Sequence, residues 1–246
     1  MRLEGKTAIV TGGGSGFGAG IARKFAAEGA QVMVADLNEA AAKAVAEEIG
    51  GMEVPVNVAD GGQVRSMAHA AREAFGRIDI LVNNAGVTHL PGPMESISEE
   101  EFDRVLAVNV KAVYLAAREI VPLMKAAGTG AVLNVASTAA VSPRAGLTWY
   151  NASKGWLLTA TKSMAVELAP AGVRVNAILP VAGETPLLQS FMGEDTPQVR
   201  AKFLATIPLG RFSTPEDMGN AACFLCSDEA SMITGAALEV DGGRCI

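Results

Sequence analysis

The sequence predicts an α/β protein built on one doubly wound parallel sheet of about seven strands, with helices on both faces. Three observations predict it. Short apolar runs alternate with Ala-rich helical stretches from end to end of the chain. The first run closes in a dense glycine turn and the second closes in an acid. No linker-like segment, internal repeat or composition shift interrupts the alternation, so residues 1–246 are expected to form a single domain.

Taken in order, Lys6–Thr11 is the first apolar run, ending in Gly12-Gly13-Gly14-Ser15-Gly16-Phe17-Gly18. A helical pattern with Ile21 and Phe25 on one face follows and stops at Gly29. Gln31–Ala35 reads as a second buried strand, closed by Asp36. Residues 39–49 are helical, 53–58 a strand, and Asp60 a cap for a helix over 64–75. Residues 78–82 form a strand ending at Asn83-Asn84-Ala85-Gly86, and one long helix is expected over 99–125, with Asn109 inside it. Strands at 131–135, 173–178 and 237–240 complete the count, with a helix from Tyr150 to about 169 between the first two. Residues 181–207 break the rhythm. They combine Gly183, Pro186, Gly193 and Pro197 with Leu187, Leu188, Phe191 and Met192, as expected of a lid over a substrate.

Composition excludes several classes. Half of the 246 residues are hydrophobic and 19% are charged, which argues against disorder, and the 27 glycines are dispersed rather than periodic. A net charge of −6 without a Lys/Arg run argues against a nucleic-acid partner. No apolar run approaches the ~18 residues of a membrane span, and Met1-Arg2-Leu3 leads straight into a strand-like segment with no visible signal peptide. The expected location is therefore cytoplasmic. Cys223 and Cys226 have CxxC spacing but sit in an apolar run, and the two histidines, His69 and His89, show no ligand spacing. Buried thiols on a core helix, and no metal, are the reading.

Strand, glycine turn, helix, strand and acid together form a dinucleotide-binding βαβ pattern. The glycines let the backbone approach a pyrophosphate, whose charge meets the helix N-terminus. Their spacing at Gly12, Gly16 and Gly18 is GxxxGxG. A carboxylate at Asp36 can accept both ribose hydroxyls of an adenosine and would repel a 2′-phosphate, and neither Ser15 nor Leu37 offers a compensating cation. NAD(H) is expected over NADP(H). Elsewhere, Tyr150 and Lys154 are four residues apart and share a face if helical. An ammonium beside a phenol favours the phenolate, making the pair a general acid/base for an alcohol.

Thr11-Gly-Gly-Gly-Ser-Gly-Phe-Gly18, Asn83-Asn-Ala-Gly86, Asn109, Ser137 and Tyr150-Asn-Ala-Ser-Lys154, in this order and spacing, resemble the short-chain dehydrogenase/reductase superfamily. The resemblance covers the chain from Lys6 to the Asp241-Gly242-Gly243 tail and implies a Rossmann-type domain. It also implies that Tyr150 is the proton donor or acceptor and that Lys154 lowers its pKa and holds the nicotinamide ribose. Ser137 would orient the substrate oxygen, and Asn109 would hold a water linking Lys154 to solvent. The cofactor would be held by Gly12, Ser15, Gly16, Phe17, Gly18, Asp36, Leu37, Asn57, Val58, Asn84, Ala85, Gly86, Tyr150, Lys154, Pro180, Val181 and Thr185. Two departures stand out. Asn57 replaces an Asp usual at the adenine-facing end of the third strand, and Pro180-Val181 replaces Pro-Gly, adding bulk and stiffness beside the nicotinamide.

The resemblance extends to 3-oxoacyl-carrier-protein reductases and bacterial glucose or polyol dehydrogenases. Asp36 tilts the expectation toward NAD-linked oxidation of a secondary alcohol on a polyol, sugar acid or hydroxy acid. Ser137, Arg144, Tyr150, Glu184 and Arg244 are the substrate-side candidates, since a guanidinium can grip a carboxylate or phosphate. His89, Trp149 and the lid apolars are the alternative lining for an acyl or alicyclic pocket. NADPH-dependent 3-oxoacyl-thioester reduction and a non-catalytic dinucleotide-binding protein are the competing functions. The family's habit also implies a homotetramer, formed through the helices bearing Asn109 and Tyr150 and through C-terminal strands.

Overall fold

The computed structural model describes all of residues 1–246. Seven strands, β1 (Thr7–Thr11), β2 (Gln31–Asp36), β3 (Met52–Pro55), β4 (Ile80–Asn83), β5 (Gly130–Val135), β6 (Val173–Pro180) and β7 (Ala237–Val240), form one sheet in the order β3-β2-β1-β4-β5-β6-β7. Every pairing is parallel. Because successive strand residues point to opposite faces, the register sorts the core into two halves. Ala8, Val10, Val32, Val34, Ile80 and Val82 join α1 (Gly16–Ala27), α2 (Glu39–Ile49) and α9 (Pro215–Cys226) on one face. Ile9, Met33, Ala35, Leu81 and Val132 join α3 (Gly61–Phe75), α5 (Ala112–Ala127) and α6 (Thr148–Leu168) on the other. The inner strands β1, β2, β4, β5 and β6 are buried on both sides, which is why they read as apolar runs, while the edge strands β3 and β7 carry exposed residues.

The strand order reverses direction between β1 and β4, and the crevice at the carboxyl ends of these strands is where open α/β sheets bind ligands. The two strand ends are cross-linked there. Asn84 donates from Nδ2 to the carbonyls of Thr11 (2.8 Å) and Gly12 (3.1 Å), and its N–H reaches Thr11 Oγ1 at 3.0 Å.

Three elements differ from expectation. The third strand stops at Pro55 rather than residue 58, because Asn57 begins a turn of its own: its Oδ1 accepts from Ala59 N–H and its N–H donates to Gln63 Oε1. The helix expected over 99–125 is α4 (Glu99–Leu106), a π-helical turn (Ala107–Lys111) and then α5. Residues 181–207 carry two short helices, α7 (Leu188–Met192) and α8 (Pro197–Leu204), seated on a small core of Val181, Leu188, Ile207 and Phe212. Cys223 and Cys226 are free and buried on α9. No helix is long and apolar enough to cross a membrane.

Candidate active site

A single large cleft, with a cavity volume of about 450 Å³, opens along the carboxyl ends of β1, β2, β4, β5 and β6. Its first wall is the glycine turn. Gly12 and Gly16 adopt φ of +63° and +50°, and a Cβ on Gly12 would stand 2.9 Å from the Ala85 Cα. Gly18 is not part of the wall. A Cβ there would lie 2.1 Å from the Gly12 carbonyl, so this glycine lets α1 pack directly against the turn. Ser15, the N-cap of α1, makes no side-chain cap bond and no acid occupies the first helical turn. The orphan N–H groups of α1 therefore face the cleft with nothing negative to satisfy them, which fits a pyrophosphate.

Asp36 stands at the end of β2, half-buried, with Leu37 exposed beside it. Its Oδ2 accepts from Gly14 N–H and its Oδ1 from Asn38 N–H, both at 2.9 Å. These two bonds aim the carboxylate along the cleft wall and leave lone pairs on each oxygen for a diol. No cation pairs with it. Asn57 and Val58 continue this wall, although the Asn57 Oδ1 already accepts from Ala59 N–H.

At the opposite end, α6 presents Tyr150 and Lys154 on one face, 4% and 5% exposed, with Ser137 just beyond the end of β5. The Lys154 ammonium lies 5.9 Å from the Tyr150 ring centroid and donates to the Val135 carbonyl at 2.9 Å. Asn109 sits one layer deeper, 1% exposed and outside the cleft wall. Its amide clasps Val87 from both sides, accepting from Val87 N–H and donating to Val87 C=O, each at 2.9 Å, and also donates to Ser153 Oγ at 3.0 Å. The π-helical turn carries Asn109, so the local widening of the helix accompanies a side chain that anchors the segment after Gly86.

Burial dominates the electrostatics here. It pushes the Tyr150 phenol up to about 12, with the neighbouring Ser137 hydroxyl acting in the opposite sense, and lowers Lys154 to about 8. The sequence had suggested a phenol drawn down by the ammonium. In the folded chain, loss of hydration is the largest influence on Tyr150, and the Lys154 ammonium is engaged with the Val135 carbonyl.

Pro180, Val181 and Thr185 lie in the wall as expected. Val181 carries no strained backbone, since no residue other than glycine has positive φ. Its bulk is used in the small core beneath α7 and α8. Arg144 lines the cleft, but Glu184 and Arg244 do not. Glu184 is exposed and paired with Arg200 at 3.2 Å, while Arg244 stands one layer behind, donating to Ser142 Oγ at 2.7 Å. His89 is fully buried and Trp149 bonds the Met94 carbonyl, so neither is a lining residue. Val56, Val87, Val108, Val135, Ala136, Leu147 and Phe203 are among the further residues of the wall. They carry no chemical signature and are found only by tertiary placement. No group of three or more His, Cys, Asp or Glu side chains is arranged to hold a metal ion.

The sequence model of the family described as Enoyl-(Acyl carrier protein) reductase matches residues 12–244. The chain is 48% identical, over 100% of both chains, to the 4-formylbenzenesulfonate dehydrogenase TsaC1/TsaC2 of Comamonas testosteroni. It superposes on a 3-ketoacyl-(acyl-carrier-protein) reductase of Brucella melitensis complexed with NADH, with a TM-score of 0.95, 50% identity and coverage of 99% and 100% of the two chains. A Beutenbergia cavernae protein solved with NADP at low occupancy matches at TM-score 0.92 and 37% identity, over 99% and 98% of the chains. This chain belongs to the short-chain dehydrogenase/reductase family. It is an oxidoreductase of alcohol- and ketone-type substrates.

Proposed function

We propose that the protein interconverts a secondary alcohol and a ketone with NAD(H), the substrate being a polyol, sugar acid or hydroxy acid. The observation that carries this reading is the buried pair Tyr150 and Lys154 with half-buried Ser137 beside them, at the floor of a cleft whose other end is a glycine turn facing Asp36. The free N–H groups of α1 and the unpaired Asp36 carboxylate suit an unphosphorylated adenosine dinucleotide. Bound there, the nicotinamide supplies the hydride acceptor or donor, and in its oxidised form adds a positive charge that favours the phenolate.

In the oxidative direction the substrate hydroxyl sits between Ser137 Oγ and Tyr150 Oη. Tyr150 takes the hydroxyl proton as the carbon-bound hydrogen leaves as hydride, and in reduction it returns that proton to the carbonyl oxygen. Ser137 holds the oxygen by a hydrogen bond that strengthens as charge develops on it. Lys154 and the Asn109 clasp keep the floor of the cleft in register with β5. The exposed apolar side chains of Tyr114 on α5 and of Trp156 and Val166 on α6 support assembly into a homotetramer through these helices.

Replacing Tyr150 with Phe tests the reading. Turnover of any alcohol or ketone should fall by at least about 10³-fold while NADH still binds, as expected for removal of a general acid/base. Substantial remaining activity would take Tyr150 out of its role. The competing reading is NADPH-dependent reduction of a 3-oxoacyl thioester; the likeness to the Brucella reductase supports its substrate but not its cofactor, since that structure holds NADH. Initial rates with NADH and NADPH separate the two, and a strong NADPH preference decides against Asp36 as a ribose ligand.

A further inference from the structure

Arg144 lies in the cleft wall on the segment between β5 and α6. Its guanidinium stacks on the Phe203 ring of α8, 4.2 Å from the centroid, and Nη2 donates to Thr206 Oγ1 at 3.1 Å. These two contacts hold the group in place but do not neutralise it, because a ring face and a hydroxyl carry no formal charge. Arg244 is close enough for its charge to be felt at Arg144. It donates to the Oγ of Ser142, which is itself part of the wall.

Glu184 and Asp195 pair with Arg200, and both Asp241 oxygens accept backbone N–H groups, from Gly243 and Cys245. No carboxylate, the chain's own C-terminus included, comes within ion-pair distance of Arg144 or Arg244. Two half-buried like charges, mutually repelling and unpaired, are costly unless an anion joins them. Between them and Tyr150 the wall is apolar, through Leu147, Leu187, Phe191 and Phe203.

We propose that the substrate bears an oxyanion, a carboxylate or sulfonate, which Arg144 binds directly at the cleft mouth while its apolar body reaches inward to Tyr150. Arg244 is a positioning residue: it orients Ser142 and adds its charge to the same spot. The proposal rests on the alcohol–ketone reading above and narrows it to the acidic substrates, against neutral polyols. A guanidinium fork fits a planar carboxylate through two bonds and a sulfonate through two of its three oxygens.

The test compares three ketones with NADH as donor: 4-acetylbenzoate, 4-acetylbenzenesulfonate and neutral acetophenone. The wild type should favour one or both anions in kcat/KM. In Arg144→Gln the anionic-to-neutral ratio should drop about 10- to 100-fold, the range of a lost charge-assisted bond, chiefly through KM. Arg144→Lys, which keeps the charge and loses the fork, should fall between, and Arg244→Gln should lower the ratio less. The two anions tell a carboxylate site from a sulfonate site. A ratio near one in the wild type, or one unmoved by Arg144→Gln and Arg244→Gln whether or not the oligomer changes, overturns the proposal. If no ketone is reduced, it is the alcohol–ketone reading that fails. Titrating benzoate and benzenesulfonate into the NADH-loaded protein then still decides the anion site: saturable binding that Arg144→Gln abolishes upholds it, and none in the wild type overturns it.

Discussion

Phe191, on the short helix α7, sets its ring against that of Tyr150, with centroids 5.1 Å apart and planes at 67°. An edge-on contact of this kind contributes about 0.5–1.5 kcal/mol beyond buried area, so α7 is held over the phenol. Its base is the small core in which Val181, Leu188, Ile207 and Phe212 meet. The segment over 181–207 thus has a contact above the phenol and a foundation beneath it, which supports the proposal that it is a lid.

Phe191→Ala removes the contact above the phenol and leaves the glycine turn and Asp36 untouched. The expected result is a loss of about 10-fold in kcat/KM for the alcohol, equivalent to the ring contact together with part of the substrate's apolar wall. Steady-state rates compared with NADH titrations by fluorescence check it. A larger change in NADH affinity than in alcohol KM would mean that α7 serves the cofactor rather than the substrate.

Asp36→Ala removes the carboxylate proposed to discriminate against a 2′-phosphate, together with the two bonds that brace Gly14 and Asn38. The ratio of kcat/KM for NADH over NADPH should fall by about 100-fold, the scale of losing charge repulsion and a ribose hydrogen bond together. Initial rates with both coenzymes measure it. An unchanged ratio would place the discrimination elsewhere.

The half of the cleft proposed to bind the dinucleotide is legible in the sequence because its signals are local. A glycine run between strand and helix and an acid at the next strand end are read without knowing what packs where. The Tyr150–Lys154 pair was legible for the same reason, through helical spacing. Asn109 was read on an unbroken helix, since side-chain sequence carries no mark of a backbone that shifts to i→i+5 bonding for one turn. Glu184 is a substrate candidate by sequence because an acid in residues 181–207 reads the same whether it faces substrate or, as here, Arg200. Val181 looked like an obstruction beside the cofactor. Its other neighbours, Leu188, Ile207 and Phe212, come from later in the chain and convert its bulk into support.

Asn109→Ala strips three hydrogen bonds from a site that is 1% exposed, leaving the Val87 N–H and C=O without partners. Unsatisfied buried groups cost about 1–3 kcal/mol each, so a stability loss of that order is expected in denaturant melts. Activity should fall with it, because Gly86 and Val87 form part of the cleft wall. A variant as stable as the wild type would show that water replaces the amide in the clasp.

The titration of Lys154 has a sign that melts can read. Burial lowers it from an ordinary 10.5 to about 8, so between these values the folded chain binds fewer protons than the unfolded one. Unfolding free energy then rises with pH through that window, by on the order of 3 kcal/mol for a shift of this size. Tyr150 works the other way at higher pH. Its phenol, raised from 10 to about 12, keeps its proton when unfolded phenols lose theirs, so stability is lost as pH climbs through that range. From about pH 9 the thiols of Cys223, Cys226 and Cys245, raised by burial, also take stability away as pH climbs, but they do so equally in a Lys154 variant, so the difference between the two proteins isolates the lysine. Lys154→Met, which has no charge to desolvate, should be favoured over the wild type near pH 7 and lose that advantage by pH 10. Denaturant melts of both proteins across this range measure the difference. Parallel curves would mean that Lys154 keeps its charge at an ordinary pKa, and that the floor of the cleft is wetter than its burial implies.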